Sequence, residues 1–231
     1  MLHDKDIREP LFDFLEETYG QVRIIEEKNM GKSRADVVMV TSEALYGIEI
    51  KSDADTYARL ATQVKDYDKY FDYNLAVVGT SHALHIREHI PKHWGVITVE
   101  EMDGGIDFYM LQKPQQSPKA VWTQKLEILW RPELAMLQEW NQMPKYKEKS
   151  KSFVISKIAA RVPDKIPEQL LRRQVSAILM ERDYNVVDEI LAEYRKGEIQ
   201  KRLERETEPS RQIELMMKQS ASRANRKRKR K

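Results

Sequence analysis

Apolar positions recur along this chain at two different periods, and the pattern changes character near residue 115. Ile7, Leu11, Phe14, Leu15 and Thr18 share one face at helical spacing, with Asp4 and Asp6 in the opening turn, which predicts a helix over 4–19. Pro10 lies inside that span and is expected to kink the helix or delay its start. Strand-like segments follow at 22–26, 34–40 and 44–51, then a second helix over 53–71. The short apolar run 75–79 reads as a buried parallel strand. A short helix over 81–89 and a strand over 95–99 come next, and Asp103-Gly104-Gly105 turns the chain into a strand at 106–111.

Helix, three strands, helix, strand is the order of an α/β domain with a mixed central sheet flanked by helices. QKPQQSP at 112–118 has linker composition. Beyond it the pattern is helical throughout, at 122–140, 152–162, 167–182, 186–206 and 208–222. The expected organisation is therefore a core over 1–115, an α-helical C-terminal extension over 116–222 and a basic tail over 223–231.

Composition narrows the class. The chain has 231 residues, 41% hydrophobic and 33% charged, enough for one sizeable core and unlike a disordered polyelectrolyte. No apolar run approaches the ~20 residues of a membrane helix, so no membrane partner is expected. The acid-bearing start MLHDKDIREP does not read as a secretory signal. With no cysteine, disulfides, thiolate metal sites and cysteine nucleophiles are excluded, and a cytoplasmic protein is expected. The net charge of +3 conceals a division: residues 1–143 sum to −8 and residues 144–231 to +11. Arg226, Lys227, Arg228, Lys229, Arg230 and Lys231 end the chain, and such a run serves equally as an arm for an anionic partner or as a solvated tail.

Candidate chemistry concentrates in RADVVMVTSEALYGIEIK, residues 34–51. If 34–40 and 44–51 pair about a centre between Ser42 and Glu43, paired numbers sum to 85 and Asp36 faces Glu49. Lys51 then points to the same side, while Ala35, Val37, Met39, Tyr46, Ile48 and Ile50 form an apolar face opposite. Ser42-Glu43 suits a two-residue hairpin turn poorly, so a four-residue loop with the same centre is expected. An odd-length loop would turn the two acids to opposite faces. Carboxylates so opposed, ~5 Å apart, repel by roughly 3 kcal/mol at an effective dielectric near 20. Lys51 offsets part of that repulsion, and a divalent cation offsets it better. Mg²⁺ takes one or two carboxylates and keeps waters for exchange with a phosphate oxygen. Such an ion polarises the phosphate, while Lys51 would hold or deprotonate the nucleophile. The bland reading makes Glu49 and Lys51 ordinary strand residues on a solvated face, and Glu-x-Lys alone is a weak signal.

Asp36, then twelve intervening residues, then Glu49-Ile50-Lys51 resembles the PD-(D/E)XK nuclease superfamily, with Ala35 where that motif has proline. Gln63-Val64-Lys65-Asp66-Tyr67 in the next helix is similar to the Q-x-x-x-Y motif of its RecB-type branch. The longer pattern over roughly 4–100 resembles a poorly characterised bacterial and phage family of nuclease-like proteins. The resemblance implies a restriction-endonuclease-like core, Asp36 and Glu49 as ligands of Mg²⁺ or Mn²⁺, Lys51 as catalytic lysine and Gln63 as orienter of substrate or nucleophile. It also implies that Arg59 and Tyr67 face nucleic acid, and that a further acid from the first helix or strand joins the metal. Glu16, Glu17, Glu26 and Glu27 are candidates for that acid, Glu27 being preferred.

Other features carry less. His85 and His89 have zinc-binding spacing, but His-Ile-Arg-Glu-His lacks the glutamate a zincin needs, and an exposed helix is expected instead. Trp122, Trp130 and Trp140 with nearby leucines read as a seam packing the later helices. Arg172 and Arg173, with Arg161 and Lys165, read either as a helix-turn-helix-like phosphate contact or as an amphipathic hairpin, the hairpin being favoured. The expected function is a Mg²⁺- or Mn²⁺-dependent phosphodiesterase acting on DNA, and a homodimer would serve two-strand cleavage. The alternative is a catalytically inactive nuclease-fold protein that binds DNA or regulates a partner.

Overall fold

The computed structural model describes residues 2–102, 104–183 and 196–197. The expected helices over 186–206 and 208–222 and the basic tail lie outside the described residues. Contacts divide the chain into residues 1–181 and 182–231, and the elements below belong to the first unit.

Helix α1 (Asp4–Tyr19) begins at Asp4, without the expected delay, and includes Pro10. His3 and Asp6 form a reciprocal cap at its start, and Ile7, Leu11 and Leu15 are its buried stripe. Strands β1 (Arg23–Met30), β2 (Ser33–Val40) and β3 (Leu45–Lys51) form an antiparallel meander. Helix α2 (Leu60–Tyr70) then crosses back to β4 (Tyr73–Gly79), which pairs parallel to β3. A one-turn helix α3 (Thr80–Ala83) and a 3₁₀ turn at Ile86–Glu88 lead to β5 (Gly95–Met102), parallel to β4, and β6 (Gly105–Gln112) returns antiparallel. The six strands lie in sequence order in one mixed sheet. This is the expected α/β class: a mixed sheet flanked by helices, with helices at its C-terminal side.

Side-chain alternation divides the core into two layers. Val37, Met39, Ile48, Ile50, Leu75, Val77, Ile97 and Val99 pack on the α1 side. Val38, Val40, Leu45, Ala76, Val78 and Val96 pack on the other side, under α2 and the later helices. The expectation of one apolar and one polar face of the hairpin is therefore corrected, because both faces are core and the polar residues occupy only one end. Ala35 also joins the α2-side cluster instead of the Val37 side.

The later helices are α4 (Trp122–Lys125), α5 (Arg131–Trp140), α6 (Lys151–Ala159) and α7 (Glu168–Met180). The single helix expected over 122–140 is broken, since Pro132 cannot continue a helix and instead stands in the first turn of α5. Leu126, Leu129, Leu134, Leu137, Leu171 and Leu179 share one buried cluster with the strands, so residue 115 marks a change of element type and not a gap in the core. Among the described residues no helix is long and apolar enough to cross a membrane.

Buried carboxylates fasten these helices down. Asp72 is 1% exposed and accepts from the Leu45 backbone N–H at 3.0 Å, from Lys125 Nζ at 2.5 Å and from Arg172 Nη1 at 2.7 Å. Asp68 accepts from Trp94 Nε1 at 2.8 Å and is met by His93 and Lys119. Removing one partner of such a set leaves buried charge uncompensated. Asp72→Ala is thus expected to cost about 3–5 kcal/mol in urea unfolding, and a loss below about 1 kcal/mol would contradict this role.

Candidate functional site

The hairpin between β2 and β3 has the register read from the sequence: Val37, Val38, Met39 and Val40 pair with Ile48, Gly47, Tyr46 and Leu45. Residues 41–44 form the four-residue loop, closed by the Thr41 N–H donating to the Ala44 carbonyl at 3.0 Å. Beyond Val37 the regular ladder stops. There the Ile50 backbone N–H donates to Asp36 Oδ2 at 2.9 Å, so the Asp36 side chain occupies the space between the parting strands.

Glu49 lies on the α2 side and is 0% exposed. Lys51 Nζ contacts its Oε1 at 2.5 Å, and the Tyr67 hydroxyl donates to its Oε2 at 2.8 Å. The same hydroxyl lies 3.1 Å from the Ile48 carbonyl and accepts from the Asp36 backbone N–H at 3.2 Å. Tyr67 is fully buried, which corrects its expected place at a nucleic-acid surface: the ring is held inside the core, and its hydroxyl faces protein groups only. Burial, followed by the charges of Glu49 and Asp36, pushes the Tyr67 phenol far above its ordinary value, so it stays a donor.

Asp36 is half-buried, and desolvation followed by the Glu49 charge raises its carboxyl from 3.8 to about 7, against the opposing pull of the Ile50 N–H and Lys51. Asp36 is therefore costly to ionise where it stands, chiefly because it is desolvated and secondly because Glu49 is near. Asp36 and Glu49 are hard oxygen donors of the kind a Mg²⁺ or Mn²⁺ ion takes, although both Glu49 oxygens are already bonded, by Lys51 and by Tyr67. Among the described residues no three His, Cys, Asp or Glu side chains gather as a metal cage. Glu27, the expected third acid, is instead held by Arg8 at 2.8 Å and Arg34 at 2.5 Å, at a left-handed backbone position with φ of 53°. That corrects its grouping with Asp36 and Glu49: two guanidiniums already satisfy its carboxylate.

Asp36 opens into a cleft of about 460 Å³ lined by Asn29, Gly31, Lys32, Ser33, Arg34, Arg59, Thr62 and Gln63. Arg59 precedes α2 as its N-cap, one turn before Gln63, and both expected residues line the same cleft as Asp36. Gln63 Oε1 is buried without a hydrogen-bond partner. Lys32 projects from the Gly31-Lys32 turn between β1 and β2, which Asp66 fastens by accepting from the Lys32 N–H at 3.0 Å and from Ser33 Oγ at 2.8 Å. Arg8 adds a hydrogen bond to the Asp36 carbonyl at 3.2 Å. Sequence reading missed Lys32, Arg34 and Arg8; the basic segment Gly31-Lys32-Ser33-Arg34, one residue short of Asp36, was the available signal for the first two.

The remaining expected residues stand elsewhere. Arg172 is folded against Asp72 and Glu168, which corrects its assignment to nucleic acid, since its charge is already consumed in the core. Arg173 is exposed and pairs with Glu43 in the loop at the far end of the hairpin from Asp36. The basic residues 226–231 lie outside the described residues. The histidine-rich stretch is not a continuous helix: His85 and His89 flank a 3₁₀ turn.

Among comparisons with known proteins, the family model described as Bacteriophage P4 protein cII matches residues 2–205. No curated protein and no solved structure matches the chain.

The raised Asp36 carboxyl fixes a sign. Between its ordinary 3.8 and about 7 the folded protein keeps a proton that the unfolded chain has released, so metal-free stability falls as pH rises through that window. Asp36→Asn, which carries no charge, is expected to melt a few degrees above the parent at pH 8 and level with it at pH 4, in thermal melts with EDTA. Equal melting at pH 8 would contradict the buried-charge account.

Proposed function

This chain belongs to the bacteriophage P4 protein cII family. From its site residues we propose that it is a divalent-metal-dependent phosphodiesterase acting on nucleic acid, with DNA as the expected substrate. The observation that carries the reading is the juxtaposition of Asp36, Glu49 and Lys51 beside a cleft lined by basic side chains. The element order α1-β1-β2-β3-α2-β4 and the Asp36, Glu49, Lys51 and Gln63 pattern support a restriction-endonuclease-like core of the PD-(D/E)XK type.

Asp36 and Glu49 would hold the Mg²⁺ or Mn²⁺ ion. When bound, that ion supplies Lewis-acid polarisation of a phosphate and a bound water of lowered pKa. The chain's own residues do the rest. Lys32 and Arg59, neither of which pairs with a carboxylate among the described residues, anchor the phosphates on either side of the scissile one. Gln63 Oε1 has a free acceptor position and takes a hydrogen bond from the attacking water. Lys51 Nζ stabilises the negative charge that develops on the phosphate.

One observation favours a second reading. Glu49 is enclosed, with each oxygen already bonded, so the acid pair is partly neutralised without any ion. A nucleic-acid-binding accessory protein that uses only the basic cleft would have the same arrangement.

Plasmid, linear duplex, single-stranded DNA and RNA incubated with Mg²⁺ or Mn²⁺ separate these readings. Cleavage of at least one substrate is expected, abolished by Asp36→Asn and by Lys51→Met, with Arg59→Ala raising KM more than it lowers kcat. Cleavage that survives in Asp36→Asn overturns the site. Binding that depends on Arg59 with no cleavage of any substrate supports the accessory reading.

A further inference from the structure

We infer that Tyr67 is the positioning residue that sets the separation of the Asp36 and Glu49 carboxylates, an inference that rests on the metal-site reading above. Three of its contacts converge where the β2–β3 ladder ends: its hydroxyl donates to Glu49 Oε2 at 2.8 Å, lies 3.1 Å from the Ile48 carbonyl and accepts from the Asp36 N–H at 3.2 Å. Had the ladder continued, the backbones of Asp36 and Glu49 would be locked side by side. The phenol oxygen instead occupies the opening, tying one strand through its amide and the other through its carboxylate. Asp36 Oδ2 is then directed to the Ile50 N–H, neither Asp36 carboxylate oxygen is bonded to Tyr67, and Glu49 Oε1 is met by Lys51.

The sequence supplies the room for this wedge. Gly47 faces α2 on β3, and a Cβ there would overlap the rings of Phe71 and Tyr67. Glycine at 47 leaves the space that the Tyr67 ring occupies against β3. Trp94, at a ring-centroid distance of 5.4 Å, and Phe71, at 5.4 Å, hold the ring on its remaining sides. A tyrosine kept only for packing would need no hydroxyl. Here the hydroxyl lies within hydrogen-bond distance of the Asp36 amide on one acid-bearing strand and of the Ile48 carbonyl and Glu49 carboxylate on the other.

Tyr67→Phe removes that oxygen alone. Thermal melts across a Mn²⁺ series, with the complete chain, give the midpoint of metal stabilisation separately from the metal-free melting temperature. The expected result is a midpoint at least tenfold weaker than the parent's. Val175→Ala, a core substitution in α7, should lower the melting temperature with its Mn²⁺ midpoint unchanged. A parent-like midpoint in Tyr67→Phe overturns the inference while leaving the metal site standing. A parent protein that does not respond to Mn²⁺ overturns the metal site and this inference with it. Hydrogen exchange in the unmutated protein gives a second test that does not depend on the variant folding. The Asp36 amide should be protected although it lies beyond the ladder, and exchange at the rate of a free amide would overturn the hydroxyl bridge.

Discussion

A carboxylate can be buried on the face of a β-sheet only where its charge is met at once, and Glu49 imposes that condition on everything around it. It is fully enclosed, so Lys51 from its own strand and Tyr67 from α2 must both reach it. That requirement fixes the height of α2 above the sheet, demands a glycine at 47 and ends the β2–β3 ladder at Val37. The same opening admits the Asp36 side chain. Burial first and the nearby Glu49 charge second raise the Asp36 carboxyl, so it does not ionise freely. The site is therefore a consequence of how one charge is buried.

The helices beyond residue 115 protect this arrangement without forming it. Lys125 of α4 and Arg172 of α7 converge on Asp72, which also accepts from the backbone of Leu45 at the start of β3. The strand that carries Glu49 is thus held at one end by the later helices and at the other by Tyr67. The basic residues that remain open to solvent near Asp36 come from the β1–β2 turn and the start of α2, so local chain elements and not the later helices give the cleft its positive lining.

The hairpin was legible in the sequence because two strands of alternating pattern about a fixed centre admit few registers. The sum of 85 and the four-residue loop are both present. What alternation could not reveal was that the polar face is also covered. Val38, Val40 and Leu45 share that face with Glu49, and only the packing of α2 and the later leucines shows it to be core. The helix expected from 53 begins at Leu60, because Asp55 bonds the Ser52 backbone and hydroxyl and Asp53 bonds Ser81. Such side-chain turns compete with helix and carry no periodic signal. Tyr67 and Arg172 were misplaced for one reason: a polar tip on a long side chain looks the same in sequence whether it meets solvent or a buried acid. Glu27 was misread because Arg8, which satisfies it, is distant in the chain.

The most direct test of the account is anomalous diffraction from crystals of the protein soaked in Mn²⁺ above pH 8, where Asp36 is ionised. One strong peak is expected within ligand distance of both Asp36 and Glu49, with Tyr67 still bonded to Glu49. Crystals that take up Mn²⁺ only at surface carboxylates, with the Glu49–Lys51 pair undisturbed, would contradict it.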